Sequence, residues 1–306
     1  MAKYSATTST AANNIAGQKQ DVEDVIYDIS PTETPFTSSI GSRCFCWRDN
    51  INDIVTHEWQ EDSLQAAGDN FAMEGADAAN TDVAKTTVVG NRCQIFTKDV
   101  SVTNTAERIG KYGRSSEMSY QIAKKGKELK RDIEHAFVGQ VNAGAAETGS
   151  VGRKLKAATN QMDAGGITAT TGALTEAKIL IGLQAVFTAG GNVNQIQVTP
   201  AKAVTVAGFA SSGSGTTRDF GESKRMVNAV DFYVSPFGEA AVVTNRFLKS
   251  DTALLLDTDY WSRAVLRPMQ TINLAVNGDS TKKQLITELT LVCENSKASG
   301  ALQGIS

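Results

Sequence analysis

The sequence predicts an α+β chain, and three observations carry that prediction. Residues 115–140 place Met118, Ile122, Leu129, Ile133 and Phe137 on one stripe at helical spacing. Val55, His57 and Trp59 alternate with Thr56, Glu58 and Gln60, and alternation returns over residues 83–103. Beyond about Leu174, short helical and strand patterns interleave and the chain closes on further strands.

Residues 1–30 predict an extended arm, polar for its first twenty residues and then carrying Val22, Val25, Ile26 and Ile29 in a short helical pattern stopped by Pro31. Thr34-Pro35-Phe36 follows, with Phe36 as the anchor that ties the arm down. Between the two alternating runs, residues 60–82 are poor in apolar side chains and hold Gly68, Asp69, Asn70 and Gly75. This reads as a long hairpin with an irregular tip, and a hairpin of that length needs something to lie on.

The helix over 115–140 takes Ser115 as its expected N-cap, with Glu117 in the first turn suiting the positive end of the dipole. At about 1.5 Å per residue it is a rod of roughly 35 Å. Its other face carries Lys124, Lys125, Lys127, Lys130 and Arg131. Residues 141–171 are rich in Gly, Ala and Thr and read as loop or weak hairpin. A helix is expected over 174–189, closed by Gly190-Gly191, then a strand over 195–199. Pro200 opens a second helix, over 201–210. Residues 211–215 read as a loop, 226–247 as a hairpin around Pro236-Phe237-Gly238, and 253–256 as a strand. Strands over 271–276 and 284–293 flank a Gly278-Asp279 turn, and from Ser296 the chain reads as a small polar tail.

At 306 residues the chain can bury a sizeable core, and 41% hydrophobic with 21% charged residues suits a globular protein. A net charge of −3 excludes a strongly basic nucleic-acid footprint over the whole chain. No apolar run reaches the ~20 residues a membrane helix needs, and the polar first twenty residues lack the apolar core of an export signal. Cys44, Cys46, Cys93 and Cys293 are expected as free buried thiols in a long chain without an export signal, and no Cys-x-x-Cys or His pair at ligand spacing supports a metal site on them. With His57 and His135 as the two histidines, no nucleophile elbow and no phosphate-binding loop, neither catalytic residues nor metal or cofactor ligands are expected. A monomeric enzyme built from scattered residues is the rival reading.

Charge is segregated. Asp53, Glu58, Glu61, Asp62, Asp69, Glu74, Asp77 and Asp82 lie in a stretch where no Lys or Arg falls between Asn50 and Ala84, whereas residues 111–131 hold seven bases and two acids. That pattern fits the hairpin of one copy docking on the helix region of another, against the plainer alternative of two independently solvated faces.

The order of parts resembles one family. A polar arm with Thr34-Pro35-Phe36, a hairpin bearing Thr56-His57-Glu58-Trp59-Gln60-Glu61-Asp62-Ser63-Leu64, the strand Gln94-Ile95-Phe96-Thr97-Lys98-Asp99-Val100, and a helix running from Tyr120-Gln121 through Glu128-Leu129-Lys130-Arg131-Asp132-Ile133-Glu134 are similar to tailed-bacteriophage major head proteins. The resemblance is densest over residues 30–140. It implies the Hong Kong 97-type capsid fold: an N-terminal arm over 1–49, an E-loop over 50–92, a peripheral domain over 93–173 with its spine helix over 115–140, an axial domain over 174–267, and return strands with a C-terminal tail over 268–306. It implies hexamers and pentamers closing into an icosahedral shell around double-stranded DNA, held without sequence specificity, in a virion assembled in the host bacterial cytoplasm. A portal protein, a separate scaffold protein and a cement or decoration protein are the other implied partners, with no membrane involved. An encapsulin-like cellular nanocompartment is the alternative; a tail or decoration protein should lack this order of parts. Residues expected at subunit interfaces are Phe36, Glu58, Trp59, Glu61, Asp62, Asp69, Lys124, Lys127 and Arg131. Residues 211–221 are expected as a loop near a capsomer axis. The expected E-loop core has no lysine, and Lys85 stands at its base, so lysine cross-links between subunits are not expected.

Overall fold

A computed structural model describes residues 28–44, 56–69, 71–75, 77, 85–139, 155–212 and 232–306. Helix α1 (Pro35–Ser39) leads into β1 (Gly41–Cys44). Strands β2 (Thr56–Glu61) and β3 (Thr87–Arg92) form a two-stranded antiparallel ribbon. Next come β4 (Gln94–Thr103), α2 (Asn104–Arg108) and the long α3 (Glu117–Val138). The remaining elements are β5 (Ile167–Gly172), α4 (Glu176–Thr188), β6 (Gln195–Val198), α5 (Pro200–Ser212), β7 (Phe232–Ser235), β8 (Gly238–Thr244), β9 (Thr252–Leu256), β10 (Trp261–Asn273), β11 (Ser280–Cys293) and β12 (Gly300–Ile305).

Two sheets organise these elements. One has the order β1-β10-β11-β4, and the other β5-β12-β9-β6-β8-β7. Helix α3 lies against β4 and β11. Its apolar stripe explains why: Leu129, Ile133 and Phe137 are buried in the first core together with Phe36, Trp261, Leu285, Leu289 and Leu291. Leu254, Leu256 and Ala301 of the second sheet join that core, while Leu255, Leu302 and Ile305 face a second core against Ile179, Leu183 and Val186 of α4. Strands β9 and β12 are therefore covered on both faces, which suits the unbroken apolar run of Leu254, Leu255 and Leu256 better than alternation would.

The structure corrects three expectations. The N-cap of α3 is Ser116, not Ser115: its Oγ accepts from Ser119 N at 3.2 Å. Glu107, on α2, adds a carboxylate that accepts from Met118 N at 3.0 Å and from Ser116 Oγ at 2.7 Å. Those two donors, the hydroxyl first, hold its carboxyl below the usual range. Residues 167–172, expected as loop or weak hairpin, are the edge strand β5. The end of the chain is no tail. Strand β12 lies between β5, which it pairs in parallel, and β9, which it pairs antiparallel. Gly300 permits that approach, since a Cβ there would stand 2.5 Å from the carbonyl oxygen of Gly166.

Candidate assembly surfaces

The hairpin is secured along its two-stranded ribbon, and its described loop residues are exposed. Asn91 of β3 is 1% exposed; its Nδ2 donates to the carbonyls of Leu291 at 2.7 Å and Lys156 at 3.1 Å, and its Oδ1 accepts from Lys156 N at 2.8 Å. On β2, the Glu61 carboxylate accepts from Ser296 N at 3.2 Å and Ser296 Oγ at 2.8 Å. Residues 62–69 carry no regular structure and are exposed. Leu64, Phe71 and Met73 are 99%, 92% and 87% exposed.

The residues expected at interfaces divide into three groups. Glu58, Asp62 and Asp69 project into solvent, as do Lys124 and Lys127, with Arg131 half-buried. Trp59 and Glu61 are engaged within their own subunit: Trp59 is half-buried with its ring 6.0 Å from His57, and its Nε1 donates to Glu61 Oε1 at 3.4 Å. Phe36 departs from the expectation of an inter-subunit contact. It is wholly buried, edge-on to Phe137 at 6.3 Å and to Trp261 at 5.8 Å, so it packs into its own chain's core. Among the described residues no ion pair joins the hairpin acids to the bases of α3; Lys125 pairs instead with Glu128 at 2.7 Å. Residues 211–221, expected as a loop near a capsomer axis, lie almost wholly outside the described residues.

Sequence reasoning missed Glu134. It sits on α3 yet is 0% exposed. Its Oε1 accepts from Phe36 N and from Asn245 Nδ2, each at 2.8 Å, and its Oε2 accepts from Thr37 N at 2.8 Å and from the Thr37 hydroxyl. The available signal was its place beside Ile133 and one turn from Phe137, on the border of the apolar stripe.

The two described thiols are poor nucleophiles. Cys93 and Cys293 are free and buried, burial pushes the Cys93 thiol up to about 12, and the Cys293 thiol is raised further for the same reason. Cys46 and the side chain of Cys44 lie outside the described residues. No group of His, Cys, Asp and Glu able to hold a metal occurs among the described residues, and no described helix is long and apolar enough to cross a membrane.

The ribbon's stability should follow pH through His57. Burial, and after it the charge of Arg43, holds this imidazole below its ordinary value. The folded hairpin thus binds the proton less readily than the unfolded chain does. Its stability is complete above about pH 6.5 and drains away as the pH falls toward the lowered folded value. Amide exchange over residues 56–61 and 87–92, corrected for the intrinsic rate, should be faster at pH 5.5 than at 7.5. The difference should vanish in His57→Gln; its persistence there would assign the effect elsewhere.

Comparison with known proteins decides the family. A model of the SU10 major capsid protein family matches residues 4–306. The chain belongs to the SU10 major capsid protein family. The major capsid protein of Escherichia phage Phieco32 is 28% identical over 337 residues, spanning 94% of each chain. Among solved structures, the capsid of cyanophage A-1(L) superposes with a TM-score of 0.70 at 15% identity, covering 97% of this chain and 99% of that one. An encapsulin complex from Synechococcus elongatus gives 0.53 at 12% identity, covering 72% of this chain and 78% of that one. The fold is the Hong Kong 97-type capsid fold, and this chain is a phage major capsid protein, a structural component of the virion.

Proposed function

We propose that many copies of this capsid protein assemble through hexamers and pentamers into an icosahedral shell enclosing double-stranded phage DNA. The observation that carries the reading is the hairpin: anchored at Asn91 and Glu61, yet exposing Leu64, Phe71 and Met73 on a segment bearing Asp62, Asp69 and Glu74. Among the described residues nothing covers that segment, and a second copy would. In this reading residues 50–92 are the E-loop, α3 is the spine of a peripheral domain built on the four-stranded sheet, and the six-stranded sheet with α4 and α5 is the axial domain. Because β12 is part of that sheet, the axial domain takes in residues 300–305. A portal, a separate scaffold and a decoration protein are further proposed partners, DNA is held without sequence readout, and assembly takes place in the host cytoplasm. The nanocompartment alternative has the thinner support, since the encapsulin superposes on less of the chain and at a lower score.

Negative-stain microscopy and light scattering on the purified protein, alone and co-expressed with its scaffold, test the reading. Shells, or rings of five and six, are expected. A chain that stays monomeric with the scaffold present would overturn it, and shells carrying protein cargo in place of nuclease-protected DNA in infected cells would favour the nanocompartment. Charge-guided docking has its own variant. Glu58→Lys with Asp62→Lys should cut shell yield severalfold, and more so at low salt. The subunit's Tm should stay within about 2–4 °C, because both side chains face solvent. Glu61 is left untouched in this variant, since reversing it would also break its bonds to Ser296.

A further inference from the structure

We propose that Glu134 is a latch coupling the root of the N-terminal arm to the six-stranded sheet, so that a change at either end is felt at the other. The carboxylate has four acceptor positions and four donors fill them: two amides and a hydroxyl from residues 36–37, and the Asn245 amide. No cation pairs with it among the described residues; it is held by hydrogen bonds alone. From Asn245 the connection enters the sheet. Its Nδ2 also donates to Gln197 Oε1 at 3.1 Å, its N donates to Val198 O at 2.8 Å, and its Oδ1 accepts from Phe247 N at 2.9 Å. Glu134, Asn245 and Gln197 are each 0% exposed, so water cannot replace a lost partner. The end of α3 closes on the same segment: a Cβ on Gly139 would stand 2.6 Å from Phe247 O.

The consequence is an arm root that does not open alone. Withdrawing residues 36–37 strips a buried carboxylate of three donors and leaves Asn245 facing an under-satisfied charge. Tilting the segment that carries Asn245 removes a donor that helps hold the carboxylate in place for the arm. Such coupling is reciprocal. That assembly uses it, with an arm bound by a neighbour biasing the sheet, rests on the shell reading above; the coupling itself is a property of one subunit.

Hydrogen–deuterium exchange on the full-length, unassembled chain tests it. Asn245→Ala touches no residue of the arm, yet should speed exchange of the Phe36 and Thr37 amides about tenfold, the scale of one lost hydrogen bond to a charged group. Thr37→Val should in turn speed exchange of the Phe247 amide. Leu183→Ala, in the second core and away from the latch, is the control for general loosening. Arm-root exchange that is unchanged in Asn245→Ala, or that rises no more than in the control, would overturn the proposal. Should Asn245→Ala fail to fold, Thr37→Val read at Phe247 against the same control decides it. Failure of the protein to form shells would leave these exchange results intact, so the two readings fail separately.

Discussion

A chain cut after Ser299 is expected to lose its cooperative thermal transition. The cut deletes β12, which reads as a dispensable tail but fills the slot between β5 and β9. Ala301 and Leu302 are 0% exposed and Ile305 1%, and they serve both cores. Each of the two larger side chains contributes about 1.5–3 kcal/mol by burial. The ladders to β5 and β9 add about 0.5–1.5 kcal/mol per hydrogen bond, and among the described strands β5 pairs with β12 alone. The total is comparable with the ~5–15 kcal/mol by which a folded domain is stable at all. Leu302→Ala, which keeps the strand, should cost about 2–5 kcal/mol and lower Tm while preserving cooperativity. Differential scanning calorimetry separates the two; a truncated chain with the parent's sharp transition would show that the sheet closes without β12.

What was legible in the sequence follows the range over which each signal acts. The stripe on α3 is local, and its five apolar positions sufficed to place the helix within two residues of its ends. The ribbon β2–β3 was legible for the same reason, through Trp59 and its alternating neighbours. The segment Gly300–Ile305 gave nothing comparable. Its two glycines break any pattern, and its burial is imposed by strands distant in sequence. Strand β5 reads as loop because its threonines and glycine meet only one partner at an edge. Site residues divide on the same line. Glu58, Asp62 and Asp69, expected at subunit interfaces, are exposed in the single subunit, whereas Glu61 has its partner at Ser296 and Glu134 has partners at Phe36, Thr37 and Asn245. A buried carboxylate whose donors lie about a hundred residues away looks, along the chain, like any surface glutamate of a helix.

Phe36→Ala should cost about 3–5 kcal/mol, the range for removing a buried aromatic ring from a core that cannot collapse around the void. The ring is enclosed by Phe137 of α3 and Trp261 of β10, both wholly or almost wholly buried, and edge-on pairs of this kind add about 0.5–1.5 kcal/mol beyond area alone. Trp261 is itself pinned, its Nε1 donating to Ser299 Oγ at 2.8 Å, so it cannot swing into the space. Urea unfolding should show a lower midpoint with an unchanged slope, the mark of a loss of stability without a change in the surface exposed. An unfolding free energy within ~1 kcal/mol of the parent's would mean that the cavity closes and that the arm is held by Glu134 alone. The size of the effect matters beyond stability. The backbone N of Phe36 is a donor to Glu134, so ring and amide both hold the arm root. Losing the ring should therefore also speed exchange of the Phe36 and Thr37 amides and open the bonds near residues 28–34 to proteases. Phe36→Leu, which refills most of the volume, should restore protection of those amides before it restores full stability. If instead stability returned and the amides stayed unprotected, the ring would serve the core only, and the arm would owe its position to the latch.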